Sequence, residues 1–165
     1  MSVLIVVESQ FGNTLGIARS VAAGVADSGA EVSVLHCGEA AAAIPPEVQL
    51  LLIGAPTHNL RLPSQASRKQ AAGRGASADA GPGVAEWIGQ LDPRPDVRVV
   101  TFDTTIGGRV AGSAAKAAAR LLRGRGFSRA EQGESFLVEG TAGPLRADEE
   151  DRARSWGAGL TASLA

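Results

Sequence analysis

Short runs of apolar residues alternate along the chain with segments in which apolar residues recur every three or four positions. The runs lack the polar–apolar alternation of a half-exposed strand, which indicates parallel strands buried on both faces. The periodic segments predict amphipathic helices. Strands are predicted at residues 3–7, 32–35, 50–53, 97–102 and 135–139. Helices are predicted at about 14–28, 84–91, 110–123 and from 148 onward, with a weak helical turn at 40–46.

The stretch 64–83 is the least regular, because it is rich in Gly, Ala, Ser and charged residues. It predicts a short helix combined with a mobile loop. Strands that alternate with helices imply an α/β fold with a parallel sheet and right-handed crossovers. With no internal repeat and no convincing linker, the 165 residues are expected to form one domain, 1–165.

Composition narrows the function classes. A formal net charge of −1 argues against a nucleic-acid-binding protein and against a basic membrane-surface protein. The single cysteine, Cys37, excludes an internal disulfide and a multi-thiolate metal site within one chain. The apolar run at 3–7 is too short for a signal peptide or a membrane span, and Glu8 follows it. A cytoplasmic location is therefore expected.

The loop between the first predicted strand and the first helix has the composition of a phosphate site. It consists of Ser9, Gln10, Phe11, Gly12, Asn13 and Thr14. A helix N-terminus offers unpaired N–H groups and the positive end of the helix dipole, which can hold a phosphate without a lysine. Gly12 allows close backbone approach, and the hydroxyl and amide side chains add hydrogen bonds. An ordinary turn with Asn13 or Thr14 as the helix N-cap fits the same residues.

Two further polar loops follow the third and fourth predicted strands. The first consists of Pro56, Thr57, His58, Asn59, Leu60 and Arg61. The second consists of Phe102, Asp103, Thr104, Thr105, Ile106, Gly107 and Gly108. Because the carboxyl ends of parallel strands meet at one edge of the sheet, all three loops are expected where open α/β sheets bind ligands. Together they predict a site for a planar, phosphorylated ligand.

On these residues the chain resembles the flavodoxins over nearly its whole length. The pattern Ser/Thr-x-Ser/Thr-Gly-x-Ser/Thr is matched at Ser9, Gly12 and Thr14, with Phe11 in place of the middle hydroxyl. The resemblance implies a flavodoxin-like three-layer sandwich whose five-stranded parallel sheet has the order 2-1-3-4-5. It also implies an FMN cofactor, with its phosphate at 9–14 and its isoalloxazine ring between 56–61 and 103–108.

The sequence departs from the flavodoxin pattern in the residues expected beside the isoalloxazine ring. Flavodoxins usually enclose the ring between Trp and Tyr, but this chain has no Tyr, and Trp87 and Trp156 lie on predicted helix faces where core packing is expected. His58, Leu60 and Ile106 are the candidates to cover the ring instead. Loss of a stacking contact worth about 0.5–1.5 kcal/mol would weaken flavin binding without abolishing it.

The charge of the predicted ring loops also differs from that of typical flavodoxins, which place many carboxylates around the flavin. Here the loops contain one acid, Asp103, against Arg61 and His58, with Arg109 directly after the second loop as a further candidate cation. We therefore expect the reduced, anionic flavin to be less destabilised than is usual in that family.

The resemblance implies an electron carrier rather than a stand-alone enzyme, with no catalytic residue and no metal ligand. The implied partners are transient redox proteins, with an NAD(P)H-dependent reductase as electron donor. Neither nucleic acid nor a membrane is expected as a partner, and a monomer or weak dimer is expected. Two alternatives stay open, an NAD(P)H-dependent FMN quinone or flavin reductase and a flavin-free interaction module on the same scaffold.

Overall fold

The apolar runs form one five-stranded sheet in which every strand pairing is parallel. The strands are β1 (Ser2–Val7), β2 (Glu31–His36), β3 (Val48–Pro56), β4 (Arg98–Thr105) and β5 (Ala130–Leu137). Their spatial order is β2-β1-β3-β4-β5, which confirms the predicted order. The order reverses direction next to β1, so a crevice opens between the carboxyl ends of β1 and β3.

Five helices cover the sheet in the computed structural model, which describes residues 1–77, 81–107 and 112–162. They are α1 (Asn13–Asp27), α2 (Gln65–Ala72), α3 (Val84–Gln90), α4 (Ala114–Gly124) and α5 (Glu149–Ala162). The predicted helix start at Val110 lies outside the described residues, and α4 begins after Ser113, whose Oγ accepts a hydrogen bond from the Lys116 amide. None of the described helices combines the length and the apolarity needed to cross a membrane.

Each central strand contributes side chains to two separate cores. In β1, Val6 packs on the face that carries Trp87 and Phe127, while Ile5 packs on the opposite face with Ile17 and Phe136. Successive side chains of a strand point to opposite faces, so both sets of positions must be apolar. This explains why the strand runs lack alternation.

Several predicted boundaries differ from the structure. The third strand extends from Val48 to Pro56, beyond the predicted 50–53. The fifth spans Ala130–Leu137 rather than 135–139, because an edge strand tolerates polar residues on its exposed positions. Residues 40–46 form no helix, as Pro45 and Pro46 leave only turns and bends there.

Helices α1 and α5 approach each other closely at two glycines. A Cβ on Gly24 would overlap the backbone carbonyl of Arg154, and a Cβ on Gly157 would overlap the backbone of Val21. Backbone atoms cannot move aside as a flexible side chain can. The close approach therefore requires glycine at both positions, and it sets how α1 lies against the sheet.

We expect the variant G157A to be destabilised by about 1–3 kcal/mol, because overpacking forces the two helix backbones apart. Its matched control is G159A on the same helix, where a Cβ meets no atom within 4 Å. That control should gain about 0.5–1 kcal/mol, since alanine favours a helix interior over glycine. Urea unfolding of both variants measures the difference, and equal stabilities would contradict this account of the α1–α5 contact.

Candidate functional site

A cleft of about 220 Å³ opens at the carboxyl edge of the sheet, and we call it the edge cleft. Its volume lies below the roughly 300–1,000 Å³ of typical small-molecule sites, so a larger ligand would be only partly enclosed. All three predicted loops contribute to it. The predicted residues that line it are Ser9, Gln10, Phe11, Asn13, Thr14, Pro56, Thr57, His58, Asn59, Thr104 and Thr105, together with Ile106.

The start of α1 keeps its donors free at this cleft. The N-cap is Gly12, which has φ 89° and provides no side chain to bond the first turn. The amides of residues 11–14 donate no hydrogen bond to any described residue. Unpaired amides at the positive end of a helix fit a phosphate well.

The side chains of residues 9–14, which we call the phosphate loop after the ligand predicted for it, are held in place by bonds within the protein. Ser9 Oγ accepts a hydrogen bond from the Leu15 amide at 3.3 Å. Thr14 Oγ1 lies 2.8 Å from Thr104 Oγ1, which joins this loop to the end of β4. Asn13 Nδ2 donates to the Ala142 carbonyl at 3.2 Å. The alternative in which Asn13 or Thr14 is the N-cap is therefore wrong, because Gly12 occupies that position.

The loop after β3 folds into a tight hairpin turn. His58 and Arg61 pair through reciprocal backbone hydrogen bonds of 2.9 and 3.0 Å, and the two residues between them, Asn59 and Leu60, have φ 47° and 66°. Positive φ at both central positions is typical of a type I′ turn. It costs energy for a residue such as Leu60, whose side chain is 59% exposed. Leu60 and Arg61 lie outside the lining of the edge cleft.

His58 is fixed from the side of α2. Its Nδ1 lies 3.0 Å from Ser67 Oγ. Burial lowers the pKa of His58, and the positive charge of Arg68 lowers it further. The imidazole therefore lines the cleft in its neutral form at pH 7.

Two predicted site residues at the end of β4 are buried away from the cleft. Phe102 lies under Gly54 in the core and makes edge contacts with Phe136 and Trp156, with ring centroids 6.3 and 5.9 Å apart. Asp103 is fully buried, and its side chain contacts the first turn of α4. Neither side chain is among those that line the cleft. That either residue contacts a ligand stays a prediction.

Asp103 instead fastens three segments together. Its Oδ2 accepts hydrogen bonds from Thr57 Oγ1 at 3.0 Å, Ser113 Oγ at 2.6 Å and the Ala115 amide at 3.0 Å. Its carboxylate is thus used to hold the loop after β3 against the first turn of α4. The acid that sequence analysis placed beside the ring is a structural group. Gly107 is described but does not line the cleft, and Gly108 and Arg109 lie outside the described residues.

A second buried acid, Glu8, joins the phosphate loop to neighbouring segments through hydrogen bonds. Its carboxylate accepts from Gln10 Nε2 at 3.0 Å, from Arg68 Nη1 at 3.3 Å and from the Val84 amide at 2.9 Å. Burial raises the pKa of Glu8, and the Val84 amide and Arg68 oppose that rise. The phosphate loop is thereby tied to both α2 and the start of α3.

One face of α2 also lines the cleft, which sequence analysis did not predict. Its residues are Ser67, Gln70 and Ala71, at the positions i, i+3 and i+4, and Arg74 joins the lining from the turn that follows α2. That spacing is visible in the sequence, but the composition of 64–83 suggested a largely irregular stretch. Val138 and Thr141, near the end of β5, complete the lining.

No family model matches the sequence, and no curated protein matches it either. Solved structures do match. Flavodoxin 1 of Bacillus cereus, in its oxidised form, superimposes with a TM-score of 0.71 at 15% identity over 100% of both chains. A flavodoxin from the domain Archaea gives 0.66 at 14% identity over 99% of both chains. The flavodoxin of Streptococcus pneumoniae TIGR4 gives 0.63 at 20% identity over 99% of both chains. The chain has the flavodoxin fold.

Both tryptophans of this flavodoxin-like chain lie in the cores, as the sequence predicted. Trp87 is buried under α3 and donates to the carbonyls of Ala40 and Ala41. Trp156 packs on Phe102 and Phe136. Among the described residues, Phe11 is therefore the aromatic side chain that remains at the cleft.

We expect the variant D103N to lose about 1–3 kcal/mol of stability, because a neutral amide oxygen is a weaker acceptor for the three donors that converge on Oδ2. D92N, at an exposed acid after α3, is the control and should be unchanged. Urea unfolding provides the measurement. Unchanged stability of D103N would contradict the fastening role.

Stability should fall as the pH decreases below about 6.5, the pKa of a histidine in an unfolded chain. Because the pKa of folded His58 is lower, the folded state binds fewer protons than the unfolded state in that range. The variant H58Q should show a flatter stability profile there. NMR titration, with H58Q used to assign the two histidine signals, measures the pKa directly. A His58 pKa at or above 6.5 would refute this.

Proposed function

We propose that the chain is an FMN-dependent electron carrier. The observation that carries the proposal is the free N-terminus of α1, whose amides at residues 11–14 open onto the edge cleft. No carboxylate is among the described residues that line the cleft, so an anionic ligand meets no direct repulsion from them.

The residues of the cleft form two groups, one for the phosphate of FMN and one for its ring. The amides of 11–14 would bind the phosphate, and Ser9 and Thr14 would stay anchored by their internal hydrogen bonds. The ring would lie between the Pro56–Asn59 side and the Thr105–Ile106 side of the cleft. Bound FMN supplies one- and two-electron chemistry, while the protein orients it and sets its potential.

Neutral His58 and exposed Ile106 are the side chains in place to cover the two ring faces. Neither is a tryptophan or a tyrosine, so FMN binding is expected to be weaker than an aromatic sandwich would give. With Asp103 used internally, the ring would also meet no acid from the lining residues. This supports the expectation that the reduced, anionic flavin is less destabilised here than is usual in flavodoxins.

Electron exchange would occur at the open rim of the cleft. Leu60 and Ile106 are 59% and 50% exposed on the loops of this rim. Exposed apolar side chains beside a cofactor site suit brief docking by a redox protein. We propose transient redox partners, with an NAD(P)H-dependent reductase as the electron donor.

Titration with FMN should give stoichiometric binding, followed by the visible absorption of the flavin. The variant G12V should lose most of this binding, because its side chain would project into open space at the start of α1. G29V is the matched control, since Gly29 also has a positive φ and an unobstructed Cβ position but lies beyond the other end of α1. Both variants carry similar backbone strain, so only the phosphate site distinguishes them.

Two results would overturn the proposal. Failure of the wild-type chain to bind FMN would favour a flavin-free interaction module. Rapid bleaching of bound flavin by NAD(P)H alone would favour a reductase. Equal FMN affinity in G12V and wild type would place the phosphate elsewhere.

A further inference from the structure

Among the described residues that line the edge cleft, Arg74 is the one fully charged side chain. The other lining residues are neutral apart from His58, whose pKa is lowered. Arg74 makes no ion pair with any described residue, whereas its neighbour on α2, Arg68, is committed to Glu8 and Glu86. A cation with no ion pair among the described residues thus lines a cleft that offers amide donors to an anion.

The position of Arg74 relative to the phosphate loop is set by bonds at both ends of its segment. At the start, Ser67 contacts His58. At the end, the Ser77 amide donates to the Gln10 carbonyl at 3.1 Å, and Ser77 Oγ lies 3.5 Å from the same oxygen. Between these two ties, the amides of Arg74 and Ala76 both donate to the Ala71 carbonyl. Arg74 therefore lies three residues before Ser77, which contacts the phosphate loop directly at Gln10.

Resting on the proposed function, we propose that Arg74 supplies a cation to the phosphate end of the site, in addition to the amides of α1. A guanidinium pairs with phosphate oxygens through two parallel N–H donors. The site would then discriminate FMN from the uncharged riboflavin by charge as well as by helix N–H groups. Because Arg74 is exposed, the contribution depends on salt concentration.

The test compares R74Q and R74K with wild type in binding FMN and riboflavin, at low and at physiological salt. We expect R74Q to weaken FMN binding by about three- to tenfold at low salt, to leave riboflavin binding unchanged, and to reduce the salt dependence. R74K should recover part of the affinity. The control is R120Q, which makes the same charge change in a separate groove lined also by Arg61 and Leu121, and should bind FMN as wild type does.

A measurement with inorganic phosphate distinguishes a failure of this inference from a failure of the proposed function. If wild type binds no FMN, thermal unfolding with added phosphate decides. A rise in the unfolding midpoint of wild type that R74Q lacks would support an Arg74 anion site while the electron-carrier proposal fails. No rise in either protein would overturn both. Equal loss of FMN and riboflavin binding in R74Q would indicate a structural role, and wild-type FMN affinity with unchanged salt dependence would also overturn the inference.

Discussion

The unpaired amides at the start of α1 are the feature on which the site depends. They stay free because Gly12 begins the helix with a positive φ and has no side chain that could cap the first turn. Their position is set from the other side of α1, where Gly24 and Gly157 let the backbones of α1 and α5 come together. A close helix–helix contact far from the cleft thus determines where the helix dipole points.

Two buried carboxylates at the same edge of the sheet explain why the cleft is not acidic. Glu8 accepts the Val84 amide at the start of α3, and Asp103 accepts the Ala115 amide at the start of α4. Each therefore compensates a helix N-terminus within the protein. Both carboxylates are used within the protein, and the free N-terminus of α1 lies beside described lining residues that include Arg74 and no carboxylate.

The fold is shared with flavodoxins at 14–20% identity, so most of the side chains differ while the architecture persists. What such an architecture keeps is the meeting of three loops at the carboxyl ends of β1, β3 and β4. The side chains on those loops are free to vary. Here a hydroxyl-rich loop before α1 meets His58 and Ile106 at the cleft, together with one face of α2 and with Arg74 in the turn that follows this helix.

The sequence by itself determined the strands, their parallel arrangement and the polar loop that begins α1. These depend on local signals: apolar runs, helical periodicity, and a glycine between polar residues at a strand-to-helix junction. Only the tertiary structure decided the orientation of Phe102 and Asp103, since it depends on how β4 pairs with its neighbours and where α4 begins. The same holds for the face of α2 that lines the cleft, since Ser67 contacts His58 and, beyond the helix, Ser77 contacts Gln10. Side-chain direction at a strand end and the docking of a short helix are long-range properties, and no local pattern encodes them.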